Sequence, residues 1–334
     1  VDKAAEALLY LIRNGVITFP FSNQYLPSAE TMFQNIINYQ PNIIYGDYKT
    51  FYRDKTFKGE SIRVKSGFDL HQSIDGITDL FIEDVRIKAK KVYAKQSTYE
   101  CWMDNDCLLK ILKTLLTDPS LKDLTPKDFR EAIYLNSPEA GLFKISSAKG
   151  VLEILNPGRK WLDFSAGWGD RLITAMACGF DYVGFDPNVE LYTGHTQMIE
   201  KFSKEGIHKI YYQPFESVDV NTLIEKHGYF DLCFTSPPYF DLEIYNQGED
   251  QSIVKYPRFQ DWLNKFLFTS LKKAWTLLSS EGILAIHIED VKGGKIVEPM
   301  KEFVKKLNNS QYLGVIGIEG EAGKVRPVWI WKKT

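Results

Sequence analysis

The sequence predicts a mixed α/β protein whose larger part is a doubly wound, mostly parallel sheet closed by an antiparallel hairpin. Three observations carry this expectation. Beyond about residue 126, short apolar runs alternate with segments of helical period. A Gly-x-Gly turn follows the first of those runs. The last two runs are joined directly by a Gly-containing turn, with no helix between them.

The elements can be taken in order. Residues 1–125 have a different texture, aromatic-rich and turn-rich, and read as an α+β accessory region. Within it, 107–116 (CLLKILKTLL) has helical periodicity, and 124–128 (LTPKD) reads as a capped helix start. Residues 126–334 form the second unit. Strands are expected at 160–164, 182–186, 209–213, 230–235, 282–289, 312–319 and 325–331, which makes a seven-stranded sheet. Helices are expected at 170–178, 189–204, 259–278 and 297–307.

Composition narrows the class. The 334 residues are 44% hydrophobic and 25% charged, as in ordinary globular proteins. No apolar run reaches the roughly 18–20 residues that span a bilayer, and residues 1–10 lack the flanks of a signal peptide. No membrane partner and an intracellular location are therefore expected. Cys101, Cys107, Cys178 and Cys233 are scattered, without a second ligand pair, so reduced thiols and no metal are expected. A net charge of -2 excludes coating nucleic acid by bulk charge alone. From Lys49 to Lys95, however, 11 Lys and Arg face 7 Asp and Glu. Arg86, Lys88 and Lys90, with Lys91 and Lys95, are the densest part and the expected nucleic-acid contacts. Phe51, Tyr52, Phe57, Phe68 and Tyr93 interleave with this stretch.

The first strand of the second unit runs into Asp163, Phe164, Ser165, Ala166, Gly167, Trp168, Gly169, Asp170 and Arg171. Two glycines at i and i+2 permit a tight turn and close approach of a ligand to the backbone. The next strand ends at Asp186, 23 residues after Asp163, where a carboxylate can accept both ribose hydroxyls of an adenosine. A dinucleotide fingerprint wants a third glycine where this chain has Leu172. An acid before the glycines would also repel a pyrophosphate. Asp163 instead suits a cofactor carrying ammonium and sulfonium groups, which points to S-adenosylmethionine.

The fourth strand ends in Ser236, Pro237, Pro238 and Tyr239. Consecutive prolines cannot extend a ladder, so they fix a rigid corner. First and fourth strands are neighbours at the switch point of such a sheet, so Gly167 and Ser236 should share one rim. An exocyclic amine on a base is a poor nucleophile because its lone pair is delocalised into the ring. The Ser236 hydroxyl and a carbonyl of the Ser236–Pro237 corner can accept its two hydrogens and free that pair. Tyr239 can stack on the base, worth about 1–3 kcal/mol, offsetting part of the cost of flipping it from a duplex.

At these residues the chain resembles the amino-methyltransferases of DNA, the N4-cytosine and N6-adenine enzymes. Residues 163–169 look like their cofactor motif, Asp186 like their ribose acid, and Ser236 to Tyr239 like their catalytic tetrapeptide. The resemblance covers about 140–334 and implies a Rossmann-like methyltransferase sheet, S-adenosylmethionine as cofactor and DNA as partner. It implies cofactor contacts from Ser165, Ala166, Gly167, Trp168 and Gly169. It adds Phe143 and Lys144 before the first strand, and Phe215 with Glu216 after the third. The family commonly has Phe at the place of Ser165, so Trp168 is the substitute ring. Serine at the head of the tetrapeptide leans the target to cytosine N4 over adenine N6. RNA amino-methylation and a catalytically silent binding subunit stand as alternatives. Two further expectations concern the rim: 241–251 forms either a lid or a solvated surface loop, and His287 is a satisfied core or rim histidine.

Overall fold

The computed structural model describes residues 1–334 apart from 47–55, 68, 120–122, 247 and 321–322. Lys49, Phe51, Tyr52 and Phe68 lie outside the described residues. The strands are β1 Asn42–Tyr45, β2 Ile62–Lys65, β3 Lys90–Lys91, β4 Lys160–Asp163, β5 Asp181–Phe185 and β6 His208–Tyr211. They continue as β7 Phe230–Thr235, β8 Glu243–Ile244, β9 Leu278–His287, β10 Ser310–Glu319 and β11 Val325–Lys333.

The main sheet has the order β1-β2-β10-β11-β9-β7-β4-β5-β6. β6, β5, β4, β7 and β9 are mutually parallel, and β11 lies antiparallel between β9 and β10. This is the expected Rossmann-like sheet with its closing hairpin. Helices cover both faces, so successive residues of a central strand are buried on opposite sides. In β4, Trp161 packs with Tyr182 and Phe234 on one face, while Leu162 joins Val183 and Cys233 on the other.

The described sheet has nine strands rather than seven. β10 is the outer strand of the hairpin and offers a free edge. β2 takes that edge in parallel, with Arg63 opposite Gly317, and β1 adds outside it. Gly150, on the helix Ile145–Leu155, lets β2 dock: a Cβ there would lie 2.4 Å from Val64 Cγ1.

The helix Asp170–Cys178 falls where the sequence puts it, between Gly169 and Gly179 in left-handed conformation. The helix Pro126–Asn136 begins with a Thr125–Asp128 capping box. The long helix expected at 259–278 is interrupted by a π-helical stretch, Trp262–Phe268.

Two expectations in the accessory region are corrected. Cys101 and Cys107 are not reduced thiols but form a disulfide, with Cα atoms 5.4 Å apart. Extended backbone at Asp104 turns the helix Thr98–Met103 into the helix Asn105–Thr117 and brings the two cysteines together. Arg86 is buried, not a phosphate contact. Its Nε and Nη2 donate to the Asp79 carboxylate at 2.7 and 2.6 Å, and Nη1 donates to Glu139. Arg130 also binds Glu139 and donates to Glu83 at 2.9 Å, so the cations serve an internal ion network. Among the described residues no helix is long and apolar enough to cross a membrane.

Candidate active site

Residues following β4, β5, β6 and β7, with the end of β9, line one cavity of about 340 Å³, within the usual range for small-molecule sites. Pairing of β4 with β7 brings the glycine bend beside the double-proline corner. Phe143, Ser165, Ala166, Gly167, Trp168, Asp186, Phe215 and Glu216 all face it, as do Ser236, Pro237, Pro238 and Tyr239. Asp163, Gly169 and Lys144 are not among its described lining residues.

The glycine bend is built from both sides. Gly167 and Gly169 take φ of 57° and 96°, a region costly for residues with a side chain. A Cβ on Gly169 would also stand 2.8 Å from Met198 Sδ. His195 supports the turn from beneath. A carbonyl only accepts, so His195 Nε2–H donates to Gly167 O at 3.0 Å. Nδ1 then accepts from the Tyr212 hydroxyl at 3.0 Å. Burial pulls this imidazole down to about 4, which keeps it neutral.

Asp186, at the end of β5, accepts from Gly167 N and Asn188 N, both at 2.9 Å. Burial pushes its carboxyl up to about 6 against the pull of those bonds. Each oxygen keeps a second lone pair for a hydroxyl donor. Phe215 stacks on Phe164 at 5.4 Å, forming an apolar wall. Glu216 takes a 3.2 Å bond from Lys255 Nζ and one of 3.4 Å from the Tyr256 hydroxyl. Trp168 anchors its indole on Gly141 O at 3.2 Å and meets Tyr245 edge-on.

Asp163 is placed otherwise than its sequence position implies. Its carboxylate is fully buried, bound by Arg171 Nε at 2.7 Å and the Tyr182 hydroxyl at 2.7 Å. Arg171, the second residue of the next helix, therefore stands between Asp163 and the cavity. It lines that cavity, its guanidinium 5.1 Å from the Phe143 ring. The charge facing a ligand here is cationic. Asp170, the first residue of that helix, also lines the cavity and accepts from Thr78 Oγ1 at 2.9 Å. Burial raises its carboxyl to about 7.

At the opposite end, His287 is not a satisfied rim histidine. Its Nδ1 lies 3.1 Å from Ser236 Oγ and 2.7 Å from the Tyr239 hydroxyl, while Nε2 is buried without a partner among the described residues. Phe143 meets its ring edge-on at 5.1 Å. Phe240, next after the tetrapeptide, takes φ of 52°, an uncommon conformation for an aromatic residue. Its ring packs edge-on against Phe259 and Trp262, which helps hold the corner.

The segment after the corner is a strap rather than a free lid. β8 pairs antiparallel with β3, Lys90 opposite Ile244 and Lys91 opposite Glu243. Glu243 also accepts from Gly141 N at 3.1 Å. Lys91 and Tyr93 thereby come to line the cavity, as Arg326 does. Lys88 is exposed and pairs with Glu190 at 3.2 Å; Lys90 is half-buried, 3.7 Å from Glu100. Arg171, His195 and the double contact of His287 escaped the sequence because each depends on a partner from another element.

No family model and no curated protein matches the chain. Among solved structures, it is similar to TrmN from Thermus thermophilus at 14% identity and a TM-score of 0.41, over 57% of this chain and 49% of that one. The chain thus spans about half the length of that protein. An rRNA methylase from Streptococcus thermophilus is similar at 14% identity and a TM-score of 0.38, over 56% of this chain and 93% of that one. Magnesium protoporphyrin IX methyltransferase from Synechocystis PCC 6803, with bound SAM, is similar at 10% identity and a TM-score of 0.40, over 67% and 90%. Likeness at this level says nothing about substrate.

Proposed function

We propose that the chain is an S-adenosylmethionine-dependent methyltransferase acting on the exocyclic amine of a nucleic-acid base. DNA is favoured over RNA, and cytosine N4 over adenine N6. One observation carries the reading: the Gly167–Asp186 bend and the Ser236–Tyr239 corner open on the same cavity.

The residues fit an adenosylmethionine. Asp186 has lone pairs left for ribose hydroxyls, Phe215 with Phe164 offers a face for adenine, and Glu216 can accept from its amino group. Arg171 changes the expected electrostatics. With Asp163 already paired to it, the guanidinium suits the methionine carboxylate, and Phe143 packs against it. When bound, the cofactor supplies a methyl on a sulfonium, open to in-line attack.

At the other end, Ser236 Oγ and the carbonyls of the proline corner accept from the amine and turn its lone pair toward the methyl. Tyr239 walls the base pocket. Lys88, Lys90, Lys91 and Tyr93 form the substrate-side rim, so residues 1–125 act as the recognition region. Arg86 has no part in it.

Nucleoside mass spectrometry after incubating the protein with cofactor and either DNA or RNA tests the proposal. Methylcytosine modified at N4 in DNA is the expected product. Product in RNA alone would move the substrate to RNA. Cofactor binding without product in either would leave a silent binding protein.

A further inference from the structure

The amine-methylation reading leaves one proton without a destination. An exocyclic amine that takes a methyl becomes cationic and must lose a proton to complete the reaction. Ser236 can hold such a proton only by passing on its own. Its hydroxyl lies 3.1 Å from His287 Nδ1 and also hydrogen-bonds with the Tyr239 hydroxyl.

His287 has features of an acceptor that packing alone does not explain. It is buried at the end of β9, lines the cavity and is gripped by Phe143. The Tyr239 hydroxyl stands 2.7 Å from Nδ1, a short O–H···N contact in which the phenol is the natural donor. That assignment makes Nδ1 an acceptor and puts the ring proton on Nε2, which is buried without a partner among the described residues. Leaving a buried N–H unpaired is costly, and such exceptions call for a functional explanation.

We propose that His287 is the proton acceptor of the methyl-transfer step, receiving through Ser236 Oγ the proton that the base amine gives up. This rests on the amine-methylation reading above. The amine nitrogen bonds to the methyl carbon, and the methyl–sulfur bond breaks with its electron pair remaining on sulfur. The amine N–H bond breaks toward Ser236 Oγ. Ser236 gives its own proton to Nδ1 as the Tyr239 hydroxyl turns away. The products are a methylated neutral base, a thioether and an imidazolium. One positive charge is present before and after, so the cavity gains no net charge.

Burial, with Arg326 and Arg171 nearby, holds this imidazole down at about 3, so it is neutral and its lone pair is available. So weak a base is sufficient. A cationic exocyclic amine has lost its conjugation with the ring and is a much stronger acid than an imidazolium.

Two measurements test the relay. Nitrogen NMR of the full-length protein with labelled histidine is expected to show His287 protonated at Nε2; protonation at Nδ1 overturns the relay whatever the activity. The second is single-turnover methyl transfer by His287→Asn, whose amide oxygen can still orient the two hydroxyls but cannot take up a proton. The rate should fall by about 10²-fold or more, the solvent deuterium isotope effect should disappear, and affinities for cofactor and nucleic acid should hold. A wild-type rate and isotope effect in His287→Asn would overturn the proposal. Should that variant fail to fold, the tautomer measurement on the wild type still decides. A wild-type protein that methylates neither DNA nor RNA sinks the amine-methylation reading itself, and the relay with it.

Discussion

The two ends of the cavity handle polarity in opposite ways. Around the β4–β5 end, carboxylates are held by fixed partners: Asp163 by Arg171 and Tyr182, Asp186 by two backbone N–H groups, Asp170 by Thr78. At the β7–β9 corner, Ser236, Tyr239 and His287 meet as two hydroxyls and a neutral imidazole. Fixed charge suits holding a charged ligand in one pose, because its partners need no reorganisation. Rotatable hydroxyls suit moving a proton. The difference separates binding from chemistry, and substitutions should separate them too.

The sharpest break is at Arg171. Arg171→Met leaves Asp163 as a buried, uncompensated charge and should cost about 3–5 kcal/mol of stability in urea titrations. Adding Asp163→Asn should recover much of it. An Arg171→Met protein of wild-type stability would show that the pair does not support the fold.

The next two substitutions should give opposite signatures. Ser236→Ala should slow single-turnover methyl transfer by about 10²-fold while leaving cofactor affinity intact. Asp186→Asn should weaken cofactor binding about 10- to 100-fold, the scale of a charge-assisted hydrogen bond, with a smaller effect on rate at saturation. Calorimetric titration beside quench-flow kinetics would distinguish them. Equal losses in both measurements for both variants would abolish the division.

Much of this division was legible in the sequence. Periodicity fixed the strand–helix alternation from β4 onward, and the motif spacing brought Gly167 and Ser236 to one rim. Partnerships were not legible. Asp163 looked like an open carboxylate because nothing in a one-dimensional pattern says that Arg171 folds back over it. Arg86 counted as a surface cation because a charge tally cannot see Asp79 and Glu139 converging on it. β1 and β2 are no shorter than β4 and β6, but they lie outside the regular strand–helix alternation that made those legible, and their place on the sheet depends on the edge of β10. His287 read as a satisfied core or rim histidine because its significance lies in two hydroxyls from the corner after β7.

A pH-dependent effect sharpens the binding end further. Burial raises Asp170 to about 7 from an ordinary 3.8. The stability associated with its protonated form is complete at acid pH and is lost as pH climbs through about 7. Asp170→Asn should remove that loss, so its advantage over wild type should grow between those two values. A pH-independent difference in thermal midpoint would contradict this. Smallest of all, Lys88→Glu with Lys90→Glu should barely change stability, since exposed pairs contribute about 0–1 kcal/mol. The double variant should weaken nucleic-acid binding severalfold and flatten the salt slope by about 1 per lysine. Unchanged affinity would take both residues off the substrate rim.

The strand exchange at the sheet's edge also has a bearing on how the molecule is made. Ser66, just past β2, hydrogen-bonds to Glu319 at the end of β10, 253 positions further along the chain. At ribosomal speeds of about 5–20 residues per second, that interval lasts tens of seconds. During it, the nascent amino-terminal third has an edge strand with nowhere to dock, while the sheet centre from β4 to β9 can already assemble behind it. Final annealing of β2 is therefore a late event. A chaperone that shields Ile62 and Val64 during synthesis should raise the yield of folded protein more than one acting after release.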